Sequence, residues 1–542
     1  MPQSEAPSIN GRDWLLIGVL LALVLPLRAW LLYNTEVTAR DSIGYIRYAL
    51  EFERLPWDKV WKDNIQHPGY PMSIAAASIP VRSIAGETTP ETVALSAQLV
   101  SMICSFIVAI LMYLLGRQFF DGTISFGAAL LYQYLPVSAH YLSDGISEPL
   151  YLTLLLAAIL HLVVALRGQS PLLAGLGGIL AGMAYITRPE GLLIVPVFAG
   201  ALVLMQCRAS WRMPWLRFAG CTLALVLCAG LVMAIYVYAT GRFTNKLSAI
   251  EVMENVKAAF LRAWQWLTGS GAQEAHGAGG PLFALTFTPT ESKAGRFFQG
   301  LFALTTEIVQ GYHYAGAIPA VLGFLWAFAE LRARPAFWAL MFFSGLHCLV
   351  LIALAMSVSY VSERHVMILV IFGSYFTVLG LRELPKRVLA WSRGEPASES
   401  EVLPWYRVPA VWFVLLLTLM IAACLPKSLQ RLHGNRDANH AAGLWLRGVL
   451  VEGDHVEDDH GWSAFYAGYV LKEGQVPILP AEQVPTTYVV VTRSRDAEID
   501  AKRQLVGENA RVVWPAPNQL AKSRVIVYAQ PRDYVRNPWT KK

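Results

Sequence analysis

The sequence predicts an α-helical polytopic membrane protein of about eleven transmembrane helices, followed by a small soluble α/β domain. Three observations lead there. Of 542 residues, 55% are hydrophobic and only 15% charged, with a mean hydropathy of +0.43, so lipid solvates most of the chain. The apolar residues gather into runs long enough to cross about 30 Å of hydrocarbon. Basic residues collect in alternate connections, as a spanning topology requires.

The runs lie at residues 14–33, 93–115, 122–141, 147–166, 171–187, 190–207, 215–239, 314–331, 336–357, 365–382 and 407–425. The first is too long for a signal-peptide core, and Asn34, Thr35 and Glu36 follow it in place of a small-residue cleavage site, so it remains as a span. The fifth and sixth are short arms meeting at Arg188-Pro189-Glu190, because Pro189 cannot continue a helix. Residues 1–425 form the membrane region and residues 426–542 the soluble domain.

Placing the amino terminus in the cytoplasm puts Arg117, Arg167, Arg208, Arg212, Arg217, Arg332, Arg334, Arg382, Lys386 and Arg387 inside, with few acids beside them. The outer side then receives the long connections 34–92 and 240–313, short turns near Asp144 and Arg188, and the soluble domain. The net charge of +6 is scattered singly, without a basic stripe carrying aromatics, so nucleic acid is excluded as a partner. The six cysteines sit in or beside apolar runs without a CxxC spacing, which predicts neither a disulfide framework nor a zinc site.

In the first outer connection, Tyr45, Ile46, Tyr48, Ala49, Leu50 and Phe52 interleave with Arg47, Glu51 and Glu53 as an interfacial amphipathic helix would. Residues Ile250 to Trp266 have the same character, and Gly269 to Gly280 read as a flexible stretch suited to a lid. Beyond the last span, Ala438 to Leu450 has helical spacing, whereas Thr487 to Thr492, Ala510 to Trp514 and Val525 to Ala529 read as short buried strands.

Chemistry is sought on the outer side, where five features converge. Asp41 follows the first span, and a carboxylate there can take a proton at headgroup level or simply cap a helix. His67-Pro68-Gly69-Tyr70-Pro71 reads as a rigid turn that either returns the chain to the membrane or aims His67 and Tyr70 at a substrate. Asp144 and Glu148 flank a tight turn, as paired carboxylates that divide base and positioning roles or share a divalent metal, or as helix caps. Arg188 with Glu190, and Arg364 in Ser362-Glu363-Arg364-His365, stand where lipid phosphates lie, and guanidinium suits phosphate.

These motifs together resemble the GT-C superfamily of polytopic glycosyltransferases, in particular the branch of protein O-mannosyltransferases, aminoarabinose transferases and Rgt-type enzymes. The resemblance covers roughly residues 10–385. It implies a sugar donor linked to polyprenyl phosphate, an extracytoplasmic glycan, lipid or protein acceptor, inversion at the anomeric carbon, and a bacterial inner-membrane location. It also implies Asp41 as general base, Arg188 and Arg364 as ligands of the donor phosphate, and His67, Tyr70, Asp144, Glu148 and Glu190 as substrate-positioning residues. Many members carry two adjacent acids where Asp41 stands alone; this argues against a divalent metal without removing that option, and no other cofactor is expected. Two rivals come from other classes. A transporter or flippase predicts ionisable groups within several spans, where only His161 and His347 stand out and each suits packing. A silent envelope-assembly protein would use the soluble domain for recognition alone.

Overall fold

The computed structural model describes residues 9–245, 293–358, 361–393, 408–458, 460–472, 486–492, 506, 510–520 and 522–531. The membrane region opens with α1 (Gly11–Asn34), whose Asn10 and Asp13 form a capping box. Among the described residues, eight helices are long and apolar enough to cross a membrane. Two further apolar helices are shorter, α9 (Pro171–Thr187) and α13 (Ala317–Leu331). The run predicted at 122–141 is also helical but is broken into α6 (Gly122–Tyr134) and α7 (Pro136–Tyr141). The break falls where Pro136 forces Leu135 out of helical conformation, to ψ 134°.

Between α1 and α5 (Pro90–Gly116) the chain forms three helices, α2 (Arg40–Glu51), α3 (Trp57–Asp63) and α4 (Gly69–Ala85). The first is the amphipathic helix the pattern predicts, with Ile46, Ala49 and Leu50 buried. The last corrects the rigid turn expected at His67 to Pro71: Pro71 lies in the first helical turn, where its missing N–H would have lacked a partner anyway. The helices α8 (Glu148–Gly168), α10 (Ile194–Cys207) and α11 (Trp215–Thr240) complete the first half. The residues predicted as a flexible stretch and its flanking helix, 250–280, lie outside the described residues. The end of that long connection is helical as α12 (Lys293–Gly311), an amphipathic segment too polar to have registered as a span.

Then follow α13, α14 (Pro335–Val358), α15 (Met367–Arg393) and α16 (Pro409–Ser428). Helices α13 and α15 touch backbone to backbone: a Cβ on Gly323 would sit 2.0 Å from the Phe376 carbonyl oxygen, and one on Gly380 2.1 Å from that of Pro319. Only glycine permits that approach. A buried charge lies inside the first span, in addition to His161 and His347. Arg28 of α1 is fully enclosed and donates to Ala139 O and Ser143 Oγ, both at 2.8 Å, and to the Gln133 side chain. It thereby satisfies the carbonyl and side-chain groups exposed around the α6/α7 break.

The chain after α16 builds α17 (Asp437–Val449), β1 (His455–Asp458), α18 (Trp462–Tyr466), β2 (Thr486–Thr492), β3 (Arg511–Trp514) and β4 (Val525–Pro531). The sheet order is β1-β2-β4-β3, with β1 parallel to β2 and the other pairs antiparallel. Ala442 and Leu446 of α17 cover Val456, Val490, Val525 and Val527. β1 escaped prediction because His455-Val456-Glu457-Asp458 offers a single apolar side chain. This unit is tied to the membrane region through α18. Trp462 Nε1 donates to Thr38 O at 2.8 Å, while Tyr466 Oη accepts from Thr38 N at 2.9 Å and donates to Glu36 O at 3.1 Å.

Candidate active site

Asp41 occupies the first turn of α2 rather than the cap position, which Ala39 holds without a side-chain hydrogen bond. The helix is fixed on the turn before α8: Ser42 Oγ donates to Gly145 O at 2.5 Å, and the Tyr45 and Ser147 hydroxyls lie 2.9 Å apart. A Cβ on Gly145 would stand 3.0 Å from Ser42 Oγ and 3.1 Å from Ala97 Cβ, so this seat favours glycine. Burial, reinforced by the charge of Glu148, pushes the Tyr45 phenol well above its ordinary pKa, and it stays a neutral hydrogen-bonding group.

With α2 so placed, Asp41 Oδ2 accepts from Arg364 Nη1 at 2.6 Å. Arg364 stands in a short 3-10 turn, Glu363–Val366, just before α15. His365 pins that turn, since its Nδ1 accepts from Ser362 N at 3.2 Å and its carbonyl oxygen lies 2.9 Å from His347 Nε2. His347 is thus a packing residue that shapes the loop, as the sequence suggested for it.

Glu148, at the start of α8 and only 4% exposed, stands between two guanidinium groups. Its Oε1 pairs with Arg188 Nη1 and lies 3.9 Å from Arg364 Nε. Arg188 is extended at φ −151° because Pro189 follows, and its guanidinium also pairs with Glu190 Oε1 at 3.3 Å. Burial opposes the Arg188 charge, but Glu190 and Glu148 outweigh it and raise its pKa well above the ordinary value. Glu148, Arg188, Glu190, His347, Arg364 and His365 line one small cavity. Arg364 Nε is buried there with no hydrogen-bond partner among the described residues, an unspent donor of the kind an oxyanion takes up.

The other predicted residues lie apart from this cluster. Tyr70 is fully buried, and its hydroxyl is used by Ala97 O at 2.9 Å and Ser101 Oγ at 3.0 Å. His67 is buried, stacked on Tyr236 with ring centroids 4.7 Å apart, and its Nε2 lies 2.9 Å from Thr244 Oγ1. Both side chains are engaged within the fold, away from the Asp41–Glu148 cluster. Asp144 turns to the soluble domain: its Oδ2 lies 2.7 Å from His433 Nε2, and its Oδ1 accepts from Gly145 N at 2.9 Å. Burial disfavours a charged His433, but Asp144 overrides it and raises the histidine's pKa above its ordinary value. Glu148 stands between two arginines, in a position to orient both. Sequence reading missed that role because a buried acid flanked by cations cannot be told from a helix cap by spacing alone. Among the described residues, no three His, Cys, Asp or Glu side chains gather as a metal would need, and the near neighbour of Asp41 is a cation.

Residues 90–247 match the family model described as dolichyl-phosphate-mannose-protein mannosyltransferase. That stretch contains Asp144, Glu148, Arg188 and Glu190, but not Asp41 or Arg364. Among solved structures, the chain resembles ArnT from Cupriavidus metallidurans bound to undecaprenyl phosphate, at TM-score 0.51 and 12% identity over 96% of this chain and 98% of that one. It is a GT-C fold. The GT-C likeness extends to ArnT in the apo state, at TM-score 0.50 and 11% identity over the same shares. It extends also to the oligosaccharyltransferase AglB from Archaeoglobus fulgidus, in complex with an inhibitory peptide and a dolichol-phosphate, at TM-score 0.51 and 14% identity over 88% of this chain. The chain spans 62% of AglB's length. No curated protein matches the sequence. At these identities the GT-C likeness concerns the fold, and the chemistry rests on the residues.

Proposed function

We propose that the protein transfers a sugar from a polyprenyl-phosphate-linked donor to an extracytoplasmic glycan, lipid or protein acceptor, with inversion at the anomeric carbon. The observation that carries this reading is the buried Arg364 Nε, without a hydrogen bond among the described residues and facing a cavity that Arg188 lines from across Glu148. Two guanidiniums around one small cavity suit a phosphate that gains charge as a bond to it breaks. ArnT binds undecaprenyl phosphate and AglB a dolichol-phosphate, and a lipid phosphate in the same class of site is the natural extension.

The reaction is a single displacement. Asp41 accepts a proton from the acceptor's hydroxyl or amine, the freed electron pair attacks the anomeric carbon, and the carbon–oxygen bond to phosphate breaks with its pair leaving on the phosphate oxygen. Arg364 links the two halves, because it now holds Asp41 and must share its donors with the incoming phosphate. A donor that draws Arg364 toward itself releases the carboxylate to act as base. Orientation follows the basic connections: amino terminus cytoplasmic and soluble domain extracytoplasmic, in a bacterial inner membrane.

The test is transfer from a set of radiolabelled polyprenyl-phosphate sugars by the purified chain in lipid, for wild type, Asp41→Asn and Arg188→Ala, with and without chelator. Transfer by wild type that both substitutions abolish and chelator leaves intact is the expected result. Folded protein that moves no sugar from any donor into a broad acceptor extract would overturn the reading.

A further inference from the structure

At the opposite end of the bundle lies a second and larger cavity, about 490 Å³. Helix α8 joins the two: Glu148 begins it, and Arg167, nineteen residues on and roughly 28 Å away at 1.5 Å per residue, lines the second cavity. Five guanidiniums meet there, Arg117, Arg167, Arg334, Arg382 and Arg387, with three carboxylates, Asp121, Glu330 and Glu383. The carboxylates are already engaged. Asp121 caps α6 and pairs with Arg382, Glu330 pairs with Arg334 at 2.8 Å, and Glu383 pairs with Lys386 at 2.8 Å. Arg117 is held by Asp13 at 2.9 Å.

Two cations remain without a carboxylate partner among the described residues. Arg167 donates to the Gln118 side chain at 3.0 Å and to its carbonyl, and Arg387 lies over the Trp326 ring at 4.5 Å. Side chains of like charge converge on one concave space, which is unfavourable unless an anion fills it. The floor of the space is apolar. Phe119, Phe120 and Leu331 line it and also line an adjoining, wholly apolar crevice between α5, α14 and α15. A basic mouth over an apolar slot is the profile of an amphiphile with an anionic head.

We propose that this cavity binds the phosphate group of an anionic ligand, supplied by a membrane phospholipid whose acyl chain follows the apolar crevice. The site is separate from the one that contains Asp41 and stands whether or not the transferase reading does. Binding is measured by native mass spectrometry of the full chain in uncharged detergent, titrated with phosphatidylglycerol, phosphatidylcholine or inorganic phosphate. Wild type is expected to bind phosphatidylglycerol in preference to phosphatidylcholine, and Arg387→Gln and Arg167→Gln each to weaken that binding about tenfold. Inorganic phosphate that binds alone and displaces phosphatidylglycerol would assign the same chemistry to a soluble source. Equal binding of the two lipids, or folded variants that bind like wild type, would overturn the proposal. Arg387 is exposed, so its substitution leaves folding intact and carries the test should Arg167→Gln fail to fold.

Discussion

Arg364 Nη1 and Asp41 Oδ2 stand 2.6 Å apart although 323 positions separate them in the chain, so helix α2 and the turn before α15 meet at one charge pair. The Asp41 side chain is 46% exposed, and an ion pair that wet contributes at most about 1 kcal/mol to stability. Its value is then chemical rather than structural. Asp41→Asn is expected to lower kcat about 10²- to 10⁴-fold while leaving Tm near the wild-type value, because an amide can hydrogen-bond Arg364 but cannot take the acceptor's proton. Single-turnover transfer beside a thermal melt checks it. A variant that keeps wild-type turnover would remove Asp41 from the chemistry.

Glu148 reverses that balance. Its carboxylate is buried between Arg188 and Arg364, so Glu148→Gln leaves the two cations without the charge that separates them. Removing one partner of a buried pair costs about 3–5 kcal/mol, although Glu190 still holds Arg188 and reduces the loss. A clear drop in Tm together with weaker donor binding is expected. An unchanged melt would mean that the two arginines do not depend on Glu148 for their placement.

What the sequence disclosed and what it hid divide along the same physical line. The spans were legible because the hydrocarbon core imposes composition on every residue that crosses it. Helix α2 was legible from its amphipathic spacing. Helix α4 was not, since Ser73, Ser78, Pro80 and Arg82 interrupt its apolar run. Asp41, Glu148, Arg188 and Arg364 could each be picked out at the ends of helices, but no local pattern says that Glu148 stands between two arginines or that Asp144 faces His433. Arg28 carries a signal of its own in the sequence: a charge inside the first span that requires internal partners.

The His433–Asp144 contact makes stability depend on pH. His433 has a pKa raised by Asp144 against the cost of burial, with Arg436 opposing. The charged pair therefore stabilises the fold fully below about pH 6.5, the unfolded histidine's value, and loses its contribution as pH rises through the higher folded pKa. His433→Gln should lower Tm at pH 5.5 and approach wild type at alkaline pH. Melts of both proteins across that range decide it, and a difference that grows with rising pH would contradict the pairing.

Trp462 and Tyr466 grip Thr38, three residues ahead of Asp41, from the soluble domain. Neither touches Arg188, Glu148 or Arg364, so their effect on catalysis must pass through the placement of α2. Trp462→Phe keeps most of the packing but leaves the buried Thr38 carbonyl without its donor, a cost of about 1–3 kcal/mol. The domain stays attached, because Arg447 still pairs with Glu91 of α5 at 2.6 Å and Tyr466 Oη still bonds Thr38 N and Glu36 O. The expected result is a kcat several-fold lower with donor KM unchanged, since the carboxylate shifts against the acceptor while the phosphate site stays intact. Steady-state kinetics with a fixed acceptor separates the two. A variant that raises donor KM and leaves kcat alone would mean that the soluble domain acts on the arginines rather than on Asp41.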